Sequence, residues 1–140
     1  MEDRIHLCVM TSAGVKYEKI VHYAGLPLEN GDAGILAGHA PLLAAVRDGP
    51  VKCEFGNMTE YVCVGNGVVD VLENSVTLLV RAAEAAQDID LSRAEASERR
   101  ARERIERKEP TTDMLRAKAS LQRALAREKT YRLSSEKTPK

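Results

Sequence analysis

The pattern of the sequence changes abruptly after Val80, and this change constrains the fold more than any other feature. Before it, short runs alternate apolar and polar residues, as in Val51, Cys53 and Phe55 with charged residues between them. Turn-forming segments separate the runs by close to the ~8–12 residues typical of a sandwich or barrel. These segments are Asp48-Gly49-Pro50, Gly56-Asn57, Gly65-Asn66-Gly67 and Glu73-Asn74-Ser75. We therefore expect an all-β first module.

After an alanine-rich connector, the residue types favour helix. Twelve of the 17 residues in 93–109 are charged. Their glutamates and arginines stand in the favourable i,i+4 order at Glu95→Arg99, Glu98→Arg102 and Glu103→Arg107. Pro110 cannot continue this helix, and Thr112 or Asp113 can cap a second one. The second half is therefore predicted to contain two helices.

The apolar residues of both helices form thin stripes of mostly small side chains. The stripes are Ala94, Ala101 and Ile105, and then Met114, Ala117, Leu121, Ala124 and Leu125. Such stripes let antiparallel helices approach closely, but they bury little surface, so the hairpin should be weakly held and mobile. The predicted fold class is β + α: an all-β sandwich over 1–84, a linker at 85–88, an antiparallel α-helical hairpin over 89–133 and a disordered tail at 134–140.

The charges divide between the two halves. Residues 1–88 contain 6 basic and 12 acidic residues, and residues 89–140 contain 15 basic and 9 acidic ones. The second half is therefore expected to bind an acidic partner. No run approaches the ~18 apolar residues of a membrane span, and the acidic N-terminus is unlike a signal peptide, so we expect a soluble cytosolic protein. The three cysteines, without metal-binding spacing, are expected to be buried free thiols.

No segment has the pattern of a catalytic or phosphate-binding motif. Residues 31–43 read GDAGILAGHAPLL, which lacks the Lys-Ser/Thr of a P-loop, and residues 65–70 place Asp70 where a dinucleotide fingerprint needs glycine. No nucleophile motif is present. His39 in its glycine-rich loop is interpreted as a structural or interface residue, and the chain is predicted not to be an enzyme and to require no cofactor or metal.

Some arginines of the hairpin lack nearby carboxylates. Arg123 and Arg127 have none at helical spacing, and Arg100 has only Glu103. Folding the hairpin about Pro110 is predicted to bring Arg93 level with Arg127 and Arg100 level with Arg123. Converging guanidiniums favour a bound anion, phosphate above all. A plain basic face remains the alternative, since Arg104 is equally unpaired and belongs to no cluster.

These features together resemble the epsilon subunit of bacterial F-type ATP synthases. The loop GDAGILAGHAPLLAAVRDGPV is similar to the family's Gly-x-x-Gly-Ile-x-x-Gly-His-Ala-Pro-Leu-Leu segment, and the order of sandwich and hairpin matches over residues 1–133. Near Gly65-Asn66-Gly67 the chain departs slightly from the family pattern, with Asp70 in place of glutamate. The resemblance implies a non-catalytic central-stalk subunit, peripheral on the cytoplasmic face of the membrane.

The resemblance also implies partners. His39, Leu42 and Leu43 would contact the gamma subunit, and Glu29, Asn30, Gly31 and Asp32 would face the ring of c subunits. The hairpin would lie compact against the sandwich, or extend along gamma toward the alpha and beta subunits and inhibit ATP hydrolysis. A compact hairpin is expected for the isolated chain.

Some family members carry an ATP-sensing motif at the start of the hairpin, and it is matched here by Ile89-Asp90-Leu91-Ser92-Arg93-Ala94. The resemblance implies a regulatory ATP site formed by Glu84, Ile89, Asp90, Arg93, Ala94, Arg100, Arg123 and Arg127. Bound ATP would hold the hairpin compact by differential affinity for that state.

A second class of function is a nucleic-acid-binding sandwich with a basic hairpin. The basic charge of the second half favours it. However, the arginines alternate with glutamates, and Tyr131 is the lone aromatic residue there, so no stacking platform exists. The stalk subunit, which binds no nucleic acid, is therefore the preferred interpretation.

Overall fold

A computed structural model describes residues 3–110 and 113–136. It contains ten strands, one short 3-10 turn and two helices. The strands are β1 (Ile5–Thr11), β2 (Gly14–Val21), β3 (Tyr23–Leu28), β4 (Gly31–Ile35), β5 (Leu42–Val46), β6 (Gly49–Phe55), β7 (Met58–Val64), β8 (Gly67–Leu72), β9 (Ser75–Val80) and β10 (Ala83–Ala85). The 3-10 turn is Ala86–Asp88, and the helices are α1 (Leu91–Arg107) and α2 (Met114–Glu136).

The strands form one sheet that folds back on itself into a sandwich. Its order is β10-β7-β6-β3-β5-β8-β9-β1-β2, with β4 paired to β3. The join between β3 and β5 consists of a single residue pair, Leu28 with Val46, where the chain passes from one layer to the other. The edge strand β2 contacts β10 and β6, which nearly closes the structure. The predicted all-β sandwich followed by a helical hairpin is confirmed.

The core of the sandwich consists of alternate residues of nearly every strand. Eighteen buried apolar residues form one cluster, including Leu7, Leu26, Val69 and Leu78. Gly67 allows the close approach of β8 and β9, because a Cβ there would lie 2.1 Å from the carbonyl oxygen of Leu79. The alternation that is visible in the sequence therefore corresponds to the inward face of the sheet.

The boundaries between the modules differ from the sequence-based ones. The segment predicted as a linker, 85–88, contains the end of β10 and the 3-10 turn, because β10 pairs with β7. Helix α1 begins at Leu91, and α2 continues to Glu136, three residues into the predicted tail. The rest of that tail, 137–140, lies outside the described residues.

The two helices pack against each other, and α2 also packs against β6 and β7. Asp90 and Asp113 cap them: each aspartate accepts a hydrogen bond from a backbone N–H three residues on, at 3.1 Å. Capping by Asp113 is as predicted, whereas Thr112 lies outside the described residues. Ala94, Ala101 and the corresponding alanines of α2 are buried. The hairpin therefore lies compact against the sandwich.

Within the described residues, no helix is both long and apolar enough to cross a membrane.

Candidate functional site

A cavity of about 330 Å³ lies between the sandwich and the hairpin, and its lining includes several charged side chains. Glu84 of β10, together with Arg123 and Arg127 of α2, lines it as the predicted ATP site requires. Arg81 and Asp48 of the sandwich line it as well. Three guanidiniums and two carboxylates therefore face one space, a composition that suits a ligand carrying several negative charges.

The polar groups of this cavity are only partly paired. Arg127 Nε donates to Glu84 Oε1 at 3.2 Å, which joins α2 to β10. Arg123 Nη2 donates to the Ser120 hydroxyl at 3.1 Å and contacts no carboxylate of the described residues. Asp48 Oδ1 is buried and has no hydrogen-bond partner within that part of the chain. The cavity therefore retains guanidinium donors for a ligand.

The motif at the start of the hairpin has structural roles that the sequence did not reveal. Ile89 is buried in a small cluster with Cys63 and Ala126, and it attaches the hairpin to β7. Asp90 caps α1, and Ala94 is buried against α2. Three of the four motif residues therefore have structural roles at the start of the hairpin.

The predicted register of the hairpin is wrong. Glu98 contacts Glu128 across the helices, and Glu95 lies 3.8 Å from Arg132. Because the helices are antiparallel, these two contacts put Arg93 beside the residues of α2 that follow Arg132. At ~1.5 Å per residue, Arg93 is displaced from Arg127 by roughly 9 Å along the axis. The thin stripes determine that the helices pair, but they do not determine the register.

As a result, the structure brings together only part of the predicted ATP site. Glu84, Arg123 and Arg127 line the cavity, whereas Arg93 and Arg100 do not. Arg100 instead donates to the Ser97 hydroxyl on its own helix at 3.2 Å. The sequence analysis missed two other lining residues, Arg81 and Asp48. No spacing in the sequence relates these residues to α2, because the packing of α2 on β7 creates the cavity.

Cys63 also lines this cavity, under α2. All three cysteines, Cys8, Cys53 and Cys63, are buried and free, as predicted. Burial raises the pKa of the Cys63 thiol, with Thr130 and Arg127 lowering it in part. Burial raises the pKa of Cys53 to about 12, so that thiol is inert.

The loop containing His39 is exposed and turned by glycine. Gly38 has a φ of 84°, which favours glycine, and its N–H donates to Asn74 Oδ1 at 2.8 Å. The His39 ring donates from Nδ1 to the Ala40 carbonyl at 2.6 Å, so the ring is held at the surface. Leu43 is 77% exposed, whereas Leu42 packs against the core. Adjacent strand residues face opposite sides, so the two leucines cannot present one surface.

The turn between β3 and β4, together with the first two residues of β4, contains the four residues predicted to face the c-ring, Glu29, Asn30, Gly31 and Asp32, and all four are exposed. Gly31 has a φ of 131°. Arg47 of the following β5–β6 turn pairs with Asp32 and donates to the Leu28 carbonyl at 3.0 Å. The turn is therefore held in place and is accessible to a partner.

An apolar row crosses the outer face of the sheet, and the sequence analysis did not identify it. Val68 pairs with Leu79, Leu79 with Met10, and Met10 with Val15, so that the row spans four strands. Val15, Val68 and Leu79 are each about half exposed, at 52%, 47% and 52%. Leu43 lies two residues along from this row, opposite Asp70. A contiguous exposed apolar row of this kind suits a protein partner.

Comparison with known proteins covers both modules. A family model described as the beta-sandwich domain of the ATP synthase delta/epsilon chain matches residues 4–86, and one for its long alpha-helix domain matches residues 87–131. An ATP synthase epsilon chain from Bacillus mycoides is 40% identical over 119 residues, covering 85% of this chain and 90% of the relative. One from Nitratidesulfovibrio vulgaris is 38% identical over 127 residues, covering 91% and 95%.

Solved structures show the same fold. A chain in the cryo-EM structure of the Euglena gracilis mitochondrial ATP synthase, comprising OSCP, F1 and the c-ring, superposes with a TM-score of 0.77 at 16% identity, covering 89% of this chain and 79% of that chain. A chain in the central stalk and c-ring structure from Tetrahymena thermophila gives 0.52 at 18% identity, with 96% of each covered. The chain therefore belongs to the delta/epsilon chain family of ATP synthases, and the resemblance to bacterial epsilon subunits is confirmed.

Proposed function

We propose that this chain is a non-catalytic central-stalk subunit of a bacterial ATP synthase, and that its hairpin regulates ATP hydrolysis by leaving the sandwich. It would act peripherally at the cytoplasmic face of the membrane. The sandwich would bind the gamma subunit through His39, Leu43 and the apolar row, and the c-ring through the turn at 29–32. The extended hairpin would reach the alpha and beta subunits.

The narrow attachment of the hairpin supports this proposal. Three buried residues, Cys63, Ile89 and Ala126, form a small apolar cluster between the modules, with the partly buried Tyr131 packed against it. The one ion pair joining them among the described residues, Arg127 to Glu84, is partly exposed and contributes roughly 0–1 kcal/mol. An attachment of this size can be broken and remade without unfolding the sandwich.

The cavity at the joint suggests the regulating ligand. Phosphates bound by Arg81, Arg123 and Arg127 would contact both modules at once, and ATP supplies three of them. Because the extended state separates α2 from the sandwich, ATP would bind the compact state more tightly and increase its population. Falling ATP would then release the inhibitory form.

Calorimetric titration of the purified chain with ATP and with ADP tests the ligand. We expect ATP to bind, and Arg123→Ala to weaken the affinity about tenfold or more, the scale of a lost charge-assisted hydrogen bond. Arg116→Ala removes an exposed arginine of α2 outside the cavity and should leave the affinity unchanged. Arg93→Ala shows whether the site extends to the start of α1. Absence of binding up to millimolar ATP would remove ATP from the proposal and leave the stalk assignment.

Inhibition is tested in the assembled complex. Charge reversal of both Arg123 and Arg127 to glutamate should raise the rate of ATP hydrolysis, because the extended hairpin would lose its basic contacts with the beta subunits. The Arg116→Glu variant provides the matched control. Equal hydrolysis by wild type and the double variant would contradict a regulatory role of these arginines.

A further inference from the structure

The inward stripes of both helices contain one glutamate each, at matching positions. On both helices the residues of the stripe have the spacing i, i+4, i+7, i+11. Its members are Ala94, Glu98, Ala101 and Ile105 on α1, and Ala117, Leu121, Ala124 and Glu128 on α2. Such positions are ordinarily apolar. A glutamate on each helix at the same level is therefore a distinctive feature of this interface.

Glu128 is buried there with one oxygen unsatisfied. The residue is 4% exposed, and its Oε1 accepts a hydrogen bond from Arg132 Nη2 at 3.4 Å. Its Oε2 is buried and has no donor within residues 3–110 and 113–136. The group that it contacts is the carboxyl of Glu98, whose Oε2 accepts from Arg102 Nε at 2.6 Å. Two acceptors therefore face each other across the helices.

One proton bound between the two carboxyl groups supplies the donor that this contact lacks. Two carboxylates in contact repel each other and cannot both be charged without a large cost, whereas a protonated carboxyl donates a hydrogen bond to its neighbour. We propose that Glu128 and Glu98 share one proton across the hairpin, and that this proton holds α1 against α2. The hairpin is then a proton-binding element whose closed state depends on pH.

The surrounding charges compensate for one negative charge of the pair. On α1, Arg102 contacts Glu98, and Glu95 lies nearby. On α2, Arg132 contacts Glu128 and lies 3.8 Å from Glu95. Both arginines are more than half exposed and bind Glu98 Oε2 and Glu128 Oε1, so neither contacts the orphaned Oε2 of Glu128. Loss of the proton would leave an uncompensated charge at the buried contact.

The pKa values of the pair agree with this geometry. Burial, followed by the hydrogen bond and charge of Glu98, raises the pKa of Glu128. The hydrogen bond from Glu128, followed by Arg102, lowers the pKa of Glu98. The pair therefore titrates in two separated steps and holds a single proton between them.

The direction of the effect follows from the raised pKa of Glu128. In the open hairpin Glu128 is solvated, and its pKa returns to the ordinary value of glutamate, about 4.3. The contribution of Glu128 is therefore fully present below that value and is lost as the pH rises through the raised pKa of the closed state. The lowered pKa of Glu98 has the opposite sign and removes stability only as the pH falls below the ordinary range of glutamate. Between the ordinary and the raised pKa of Glu128, the closed hairpin binds one more proton than the open hairpin. The equilibrium constant for opening therefore increases by up to tenfold per pH unit. Rising pH thus releases α1 from α2.

Amide hydrogen exchange of the full chain tests this inference, followed by mass spectrometry between about pH 4 and about pH 8 and corrected for intrinsic exchange. Protection of α1 should fall with pH in the wild type, with sandwich peptides as internal reference. In Glu128→Gln the amide donates permanently to Glu98, so the fall should disappear. Glu103→Gln removes an exposed glutamate of α1, and in this variant protection should still fall with pH. Equal pH dependence in wild type and Glu128→Gln would overturn the proposal.

Carbon NMR of the glutamate carboxyls provides a second measurement, and its first part uses the wild type alone. In the wild type, one carboxyl should titrate above the ordinary range of glutamate, and Glu98→Gln should return it toward that range. Glu98 is more accessible than Glu128, with 23% of its side chain exposed, so this variant should fold if Glu128→Gln does not. Titration of every glutamate in the ordinary range would contradict the shared proton.

Discussion

The sandwich and the hairpin are built from the same chain but are stabilised very differently. The sandwich buries 18 apolar residues in one cluster, among them leucine, isoleucine and valine from nearly every strand. The buried residues of the two helices are five alanines, Glu128 and Thr130, within the described residues. Since burial of large apolar side chains dominates stability, the sandwich is expected to be the more stable module and the hairpin the less stable one.

The largest expected effect is in the sandwich core. Leu78 is fully buried, so Leu78→Ala should lower the free energy of unfolding by about 2–5 kcal/mol. The matched change in the hairpin, Ile105→Ala, removes a half-buried side chain and should cost about 1 kcal/mol or less. Urea unfolding, followed by near-UV circular dichroism of the tyrosines, measures both. Equal costs would contradict the contrast between the two modules.

The helix caps should have an intermediate effect. Asp90→Ala removes the cap of α1 and should destabilise the helix by about 1 kcal/mol, within a range of ~0.5–2. Asp113→Ala removes the equivalent cap of α2, far from the sandwich. Hydrogen exchange should show loosening at the joint with the sandwich for the first variant only. If both variants loosen the joint equally, the start of α1 is not what attaches the hairpin.

The smallest expected effect is that of the ion pair between the modules. Arg127→Ala should increase the labelling rate of Cys63, which α2 covers, by at most about fivefold, the equivalent of ~1 kcal/mol. Peptide mapping after alkylation separates Cys63 from the other two thiols, and Arg116→Ala serves as control. A much larger increase would show that this single pair, rather than the apolar contact, holds the hairpin.

The ATP-sensing motif shows which features of a site a sequence pattern can predict and which it cannot. Ile89, Asp90 and Ala94 were assigned to a ligand, yet in the structure they attach, cap and pack the hairpin. Arg93 and Arg100 were placed in the cavity by a register that the structure contradicts. Arg123, Arg127 and Glu84 do line one cavity. The lack of helical partners pointed to the two arginines and the resemblance pointed to Glu84, whereas ATP as the ligand there stays a prediction.

The sequence by itself determined the two modules, because strand alternation, turn residues, proline and helix caps act over a few residues. It also determined that the cysteines are buried. Only the tertiary structure decided the helix register, the membership of the cavity and the contact of Glu98 with Glu128. These depend on which residues of distant segments meet, and stripes of alanine permit several registers of nearly equal energy.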